Sequence, residues 1–141
     1  MEEQIGYVLK QVQQALRAAM DTALRRHGLT TPQYATMNAL AEGGALSGAE
    51  LARRCFVTPQ TMNGIIVNLE AAGLVERRED PSDGRVLRVA LTLAGRAQFD
   101  ACQREVETIE ERMLGGLRAD ERVWFLDALR RCKAALIAAT A

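Results

Sequence analysis

The two ends of the chain carry the longest helical patterns of hydrophobic residues. Apolar side chains recur there every three or four positions, which places them on one face of a helix. The first pattern ends near Gly28, and the second begins after Thr92 and breaks around Gly115 and Gly116. The residues of these apolar stripes are Ile5, Val8, Leu9, Val12, Leu16, Ala19 and Ala23 near the start, and Cys102, Val106, Ile109, Met113, Val123, Leu126, Leu129 and Leu136 near the end. We therefore expect one long N-terminal helix and two C-terminal helices.

Between these ends, residues 47–72 are predicted to form two shorter helices joined by a tight turn. Ser47 and Glu50 match a capping box, in which each side chain satisfies a backbone N–H at the helix start. The second helix is expected to begin at Thr58 and Pro59, because Thr caps a helix and Pro costs no hydrogen bond at the first helical position. Only two apolar residues separate the helices, which is the short turn of a helix-turn-helix.

The second of these helices has an apolar face and a polar face. The apolar side chains predicted to be buried are Met62, Ile65, Ile66 and Leu69. The opposite face carries Gln60, Asn63, Gly64, Val67 and Asn68. We expect Gly73 to end the helix, since a left-handed backbone is needed there and Leu74 can then fold back onto Leu69.

A hairpin is predicted to follow the two helices. Residues 74–79 and 86–92 read as strands, and residues 80–85 form a turn sequence with a Pro and an Asp-Gly pair. The side chains predicted to face inward are Leu87, Val89 and Leu91, and those predicted to face outward are Val86, Arg88 and Ala90. A pair of neighbouring helices alone is weak evidence for DNA binding, because any helical domain contains such a pair. The order of two helices followed by a charged hairpin predicts a winged helix-turn-helix, which is an α+β fold that is mainly α. This fold in turn indicates DNA binding.

At these positions the chain resembles the MarR family of bacterial transcription regulators. The likeness runs in family order through residues 29–34, 47–51, 57–61, 69–75, 80–85 and 91–95, and covers nearly the whole chain. Its most specific part is Asp83, two residues before Arg85 at the wing tip. The chain departs from the family pattern at Gly64, where a basic residue is frequent, and at Val67, where an acidic one is frequent. Its recognition surface is therefore less basic than usual.

The resemblance implies a repressor that binds a pseudo-palindromic operator in double-stranded DNA as a homodimer. Residues 1–28 and 93–141 would pair with those of a second subunit around a DNA-binding domain of residues 29–92, with an intramolecular bundle as the alternative. The second helix would enter the major groove, and Arg85 the adjacent minor groove. The candidate DNA-binding residues are Arg53, Arg54, Thr58, Gln60, Thr61, Asn63, Asn68, Asp83, Arg85 and Arg88.

Within that set, the side chains divide by the contact they can make. Gln60, Thr61 and Asn63 are candidates for base edges, since Gln and Asn pair bidentately with adenine and Thr reaches base or phosphate. The three other arginines, Arg53, Arg54 and Arg88, would contact phosphate or form surface salt bridges.

The resemblance also implies regulation by a small aromatic effector, bound between the dimer helices and the winged domain. We expect its lining to include Met20, His27, Tyr34 and Met37, although core packing explains these residues nearly as well. Two alternatives stay open. One is a winged helix that binds a protein instead of an operator, which Gly64 and Val67 favour, and the other is a thiol-based redox sensor of the same family.

Charge and reactive residues restrict the function further. The chain has 18 basic and 18 acidic residues, and zero net charge is a mild argument against nucleic acid unless positive charge is arranged locally. His27 is the only His and is interpreted as a surface residue at a helix end. A second His, a spaced Cys pair and a Gly-rich phosphate loop are all missing from the sequence, so we expect no metal site, no cofactor and no enzyme activity.

The three cysteines occupy apolar positions of helical patterns, where Cys is usually a small buried hydrophobe. We expect Cys102 and Cys132 to be buried. Cys55 alone follows two arginines, which could lower its pKa as a redox-sensing thiol requires. Because no apolar stretch approaches the length of a membrane span and the first residues are acidic, we expect a cytoplasmic protein with no membrane partner.

Overall fold

A computed structural model of the chain describes residues 4–140. The described residues form six α-helices and one small antiparallel sheet, in the order of a winged helix-turn-helix with helices before and after it. The elements are α1 Ile5–Arg25, α2 Thr31–Gly43, β1 Leu46–Ser47, α3 Gly48–Arg54, α4 Pro59–Ala71, β2 Val75–Asp80, β3 Asp83–Leu91, α5 Leu93–Met113 and α6 Ala119–Thr140. The chain divides into two compact units, with the boundary between residues 107 and 108. Over residues 4–140, every helix is either too short or too polar to cross a membrane.

Side-chain caps begin the two central helices at the predicted residues. Ser47 Oγ accepts a hydrogen bond from the Glu50 backbone N–H at 3.2 Å, and Thr58 Oγ1 accepts one from the Thr61 backbone N–H at 3.1 Å. The predicted capping box at Ser47 is only half formed, because the Glu50 carboxylate accepts from the Ser47 hydroxyl at 3.3 Å instead of from its backbone. Ser47 lies in β1, where its backbone belongs to the sheet.

A complete capping box is found instead at the start of α2. Thr30 Oγ1 accepts from the Gln33 backbone N–H at 3.2 Å, while Gln33 Oε1 accepts from the Thr30 backbone N–H at 3.0 Å. Both otherwise unpaired backbone donors are thereby satisfied.

Residues with a left-handed backbone conformation end α4 and α3. Gly73 has φ of 75°, and the Leu74 backbone N–H donates to Leu69 O at 3.0 Å, which is the predicted helix stop. At the end of α3 the same backbone region is occupied by Phe56, with φ of 58° and 94% of its surface exposed. A left-handed backbone costs an L-residue about 1–2 kcal/mol. Phe56 is the one non-glycine residue of the described chain with positive φ.

The sheet has the strand order β1-β3-β2, so β3 is its central strand. β1 was not predicted, because two residues are too few to show an alternating pattern; Leu46 pairs with Val89. The predicted turn over residues 80–85 is shorter in the structure, since β2 extends to Asp80 and β3 begins at Asp83.

The predicted orientation of side chains in β3 is right at the core and wrong at two other positions. Val89 is buried, and Leu91 packs against the core. Leu87 is 48% exposed, because it pairs with Glu79 on the arm of the hairpin that extends beyond the core. Ala90, predicted to face outward, is buried, and in the sheet it pairs with Glu76 of β2.

One core joins the winged helix to its neighbouring helices. It contains the predicted apolar face of α4 together with Leu24 from α1 and Phe99 and Cys102 from α5. The Tyr34 ring stacks on Phe99 with 5.4 Å between ring centroids. The C-terminal end of α1 and the N-terminal part of α5 therefore fix the position of the helix-turn-helix.

The apolar stripes of the terminal helices are largely exposed within the single chain. Their exposed large side chains are Ile5, Tyr7, Val8, Leu9 and Val12 in α1, and Val123, Trp124, Leu126, Leu129, Leu136 and Ile137 in α6. The prediction that Cys132 is buried is wrong, because it lies in α6, where none of the described side chains is buried. These stripes are apolar surface that the chain itself does not cover.

A tight junction joins the end of α4 to the start of α5. Thr92 caps α5 by accepting from the Gly95 backbone N–H at 3.0 Å, as predicted, and its hydroxyl donates to Gly73 O at 2.6 Å. A Cβ atom placed on Gly95 would lie 1.9 Å from the backbone oxygen of Leu74. Only glycine allows α5 to start this close to β2.

We predict that Gly95→Ala destabilises the protein by about 1–3 kcal/mol, the usual cost of overpacking, because backbone atoms must move to admit the methyl group. The matched control is Gly64→Ala in α4, where nothing lies within 4 Å of the added Cβ. That change should stabilise the protein by about 1 kcal/mol through helix propensity. Urea unfolding of both variants measures the two effects, and equal stabilities would contradict the crowded junction.

Candidate nucleic-acid interface

The polar face of α4 is exposed as its helical period predicts. Gln60, Thr61, Asn63 and Asn68 are all exposed, while the opposite side of the helix packs into the core. Thr58 caps the helix, and its hydroxyl donates to Thr61 Oγ1 at 3.0 Å. The first turn of α4 therefore presents hydroxyl and amide groups to solvent at the positive end of a helix dipole.

Two exposed arginines precede the turn into α4. Arg53 and Arg54 occupy the last turn of α3, where a positive charge interacts favourably with the helix dipole. Their position beside the turn into α4 keeps both as candidates for phosphate contact.

The wing tip is shaped by Asp83. Its Oδ1 accepts from the Arg85 backbone N–H at 3.1 Å and lies 3.3 Å from Arg85 Nε. The Arg85 side chain remains 93% exposed. Asp83 thus orders the tip, and Arg85 extends from it into solvent.

The base of the wing is held by Arg88, the third arginine considered for phosphate contact. Arg88 Nε donates to the Asp80 carboxylate, and its Nη1 lies 3.5 Å from Glu50 Oε1. Nη1 also donates to Ala45 O at 3.4 Å. Of the two roles expected for Arg88, the structure has the salt bridge, and this bridge links the wing to the start of α3.

Asp80 is the buried end of this network. It is only 9% exposed, and its Oδ1 accepts from the Ser82 backbone N–H at 2.8 Å and from the Ser82 hydroxyl at 2.6 Å. These bonds from Ser82, followed by the Arg88 guanidinium, hold the pKa of the Asp80 carboxyl well below its ordinary value. The carboxylate is thereby kept ionised, as the ion pair requires.

Arg77 was not among the predicted site residues, although it contacts the polar face of α4 directly. Arg77 Nη2 donates to Asn63 Oδ1 at 3.1 Å, and Arg77 Nε lies 3.6 Å from Glu70 Oε1. The alternation of residues along β2 could have indicated this contact. Alternate residues of a strand share a face, and Val75, two positions before Arg77, is buried in the core.

The four candidate effector residues come from α1, α2 and the turn between them. Tyr34 and Met37 are buried in the core, and Met20 packs against it. The interpretation of His27 as a surface residue was wrong: the ring is half-buried, with its Nε2 2.9 Å from Glu105 Oε2 of α5. This pair holds the end of α1 next to α5, which a sequence reading of α1 alone does not reveal.

Two of the three thiols, Cys55 and Cys102, lack the environment of a redox sensor. Burial raises the pKa of Cys55, and a hydrogen bond with Thr36 offsets this only in part. Burial, and then the charge of Glu105, raises the pKa of Cys102. A raised pKa disfavours the reactive thiolate. Within residues 4–140, His, Cys, Asp and Glu nowhere form a group of three or more that could hold a metal ion.

Comparison with known proteins identifies the family. The model of the MarR family matches residues 27–86. The HTH-type transcriptional repressor Rv2887 of Mycobacterium tuberculosis is 38% identical over 127 residues, which are 90% of this chain and 91% of the relative. The chain belongs to the MarR family. The family is one of transcription regulators, and the winged helix predicted from the sequence is confirmed.

Solved MarR-family structures match the chain along most of its length. Rv2887 in complex with DNA is 34% identical, with a TM-score of 0.78 over 93% of this chain and 98% of that one. Rv2887 in complex with salicylic acid is 37% identical, with a TM-score of 0.75 over 93% of this chain and 97% of that one. A structure of Bordetella bronchiseptica BpsR, whose DNA binding is regulated by 6-hydroxynicotinic acid, is 30% identical, with a TM-score of 0.82 over 93% and 94%.

The buried ion pair at the base of this MarR-family wing predicts a pH dependence. Because the pKa of Asp80 is lowered in the folded state, its stabilising effect is complete above the unfolded value of about 4 and is lost as the pH falls below it. The unfolding free energy of the wild type should therefore decrease more steeply between about pH 5 and pH 2 than that of Asp80→Asn. Chemical unfolding at several pH values measures this, and Asp100→Asn, at an exposed position, controls for the lost charge. Identical slopes for the wild type and Asp80→Asn would contradict the prediction.

Proposed function

We propose that this protein is a transcriptional repressor that binds a pseudo-palindromic operator as a homodimer and is released by a small aromatic acid. It acts by binding and not by catalysis. The observation that carries the proposal is the exposed polar face of α4, next to a wing whose Arg85 side chain extends into solvent. Rv2887, a relative that matches nearly the whole chain, has been solved in complex with DNA.

In this proposal α4 lies in the major groove and the wing lies along the adjacent minor groove. Gln60, Thr61 and Asn63 have the hydrogen-bonding groups that read base edges, and Arg85 has the charge that a narrow minor groove attracts. Zero net charge is compatible with this arrangement, because Arg53 and Arg54, in the last turn of α3, are exposed. Phosphate contacts from such arginines supply non-specific affinity.

The proposed effector is an aromatic carboxylic acid. Among relatives, Rv2887 has been solved in complex with salicylic acid, and the DNA binding of BpsR is regulated by 6-hydroxynicotinic acid. Met20, His27, Tyr34 and Met37 are proposed to line or support its site. Salicylate added to a protein–operator complex should release the DNA if this is correct.

Dimerisation is proposed from the uncovered apolar stripes of α1 and α6. Soluble monomers rarely expose large contiguous apolar surface, and such patches usually mark interfaces. Exposed side chains such as Ile5, Trp124 and Ile137 would be covered by the second subunit. A two-fold dimer also matches the symmetry of a pseudo-palindromic operator.

The two alternatives receive different support. Phe56 and Val67 are exposed apolar residues beside the recognition face, which is what a protein-binding winged helix requires. The raised pKa values of Cys55 and Cys102 count against redox sensing. Measurement of DNA binding separates the first alternative from the proposed repressor.

We predict that Leu9→Glu combined with Val12→Glu makes the protein monomeric, because charges on the α1 stripe cannot be buried against a partner without a large desolvation cost. Both positions are exposed within the single chain, so the fold should be retained. Light scattering gives the mass, and the emission of Trp124, the single Trp, should shift to longer wavelength. The control is Gln11→Glu with Gln14→Glu at exposed polar positions of the same helix. A dimeric Leu9→Glu, Val12→Glu variant would show that this stripe is not the interface.

We predict that Arg85→Ala weakens binding to every DNA sequence and lowers the slope of log K against log salt by about 1 per subunit, since one phosphate-neutralising charge is lost. Sites selected from randomised duplexes and an unrelated duplex of the same length are compared at several salt concentrations. Arg118→Ala is the matched control, because Arg118 is also an exposed arginine paired with an Asp but lies at the start of α6. An unchanged slope for Arg85→Ala would show that the wing does not contact DNA, and the protein-binding alternative would gain.

A further inference from the structure

Arg77 of β2 lies along α4, the helix that faces DNA in the proposed function. The Arg77 guanidinium contacts Asn63 through Nη2 at 3.1 Å and lies near Glu70 through Nε at 3.6 Å. Asn63 and Glu70 are seven positions apart, so α4 rises about 10 Å between them. Arg77 therefore bridges two turns of α4 along one side of the helix.

The chemistry of the guanidinium fixes the orientation of the Asn63 amide. An arginine side chain has only hydrogen-bond donors, so the amide atom that faces it must be the carbonyl oxygen. The amide NH₂ group of Asn63 is then the part of the side chain left for a ligand. Arg77 is 28% exposed and is also held by Glu70, so it is anchored at both ends of its contact with α4.

We propose that Asn63, oriented by Arg77, donates from its amide NH₂ group in the major groove and thereby selects guanine; this rests on the proposed function. Guanine presents two acceptors there, N7 and O6. An unrestrained Asn instead pairs with adenine, donating to N7 and accepting from the N6 amino group. In this protein the accepting oxygen is engaged by Arg77, and the adjacent positive charge disfavours approach of a further donor.

This inference changes the expectation drawn from the sequence, in which Asn63 pairs bidentately with adenine. The difference comes from a residue fourteen positions away in the chain, on a strand and not on the recognition helix. Arg77 is thus a positioning residue for base reading, while Asn63 is the side chain that contacts the base.

The test uses the full-length protein and sites selected from randomised duplex DNA. The base pair read by Asn63 is the one at which Asn63→Ala loses discrimination. At that pair the wild type should bind guanine at least about five-fold more tightly than adenine. Arg77→Met keeps the unbranched stem but removes the donors and the charge, so adenine should become equal to or better than guanine.

The matched control is Arg78→Met, one position further along β2. Arg78 is exposed and paired with Glu76, and it lies on the strand face opposite to Arg77. Its loss should leave the ratio of guanine to adenine affinity unchanged. Arg77→Lys retains a charged donor and should retain the guanine preference.

Two results would overturn the inference while leaving the proposed function intact. One is a wild-type preference for adenine at this base pair, which needs no variant. The other is an unchanged guanine to adenine ratio in an Arg77→Met protein that unfolds with the cooperativity of the wild type. Absence of any sequence-specific binding by the wild type would instead overturn the proposed function, and the inference with it.

Discussion

The geometry of the winged domain depends on a backbone junction, where the end of α4 meets the start of α5. The backbone N–H of Thr92 donates to Leu74 O at 3.1 Å, and the Thr92 hydroxyl donates to Gly73 O at 2.6 Å. Gly95 fits against Leu74 only because it has no side chain. Since both ends of the hairpin are fixed at this point, the wing and the recognition helix are oriented by the same few backbone atoms.

Features encoded within a few residues of each other could be predicted from the sequence. Thr58 and Gly73 begin and end α4 through contacts to residues at most five positions away, and the helical period identified its buried face. Features set by distant residues could not. The burial of Ala90 did not follow from the alternation of residues along β3, and the contact of His27 depends on Glu105, 78 positions further along. The exposed face that carries the candidate base contacts followed from the helical period, but the hydrogen bond of Arg77 with Asn63 did not.

The balanced charge of the chain conceals two classes of arginine. Arg77 and Arg88 are turned into ion pairs within the protein, where they hold side chains and strands in place. Arg53, Arg54 and Arg85 remain exposed, although Arg85 also pairs with Asp83 at the wing tip. Counting charges therefore does not show which arginines are available to a phosphate.

The two-residue strand β1 has a consequence for the DNA that the protein can use. With β1 on one side and β2 on the other, β3 is paired along both edges near the core, and Arg88 adds a tie to the start of α3. The base of the wing therefore cannot swing as a free hairpin does. In the proposed binding mode, the interval between the bases met by α4 and those met by the wing is thus set within each half-site, and an operator that alters this interval must itself bend or twist to fit.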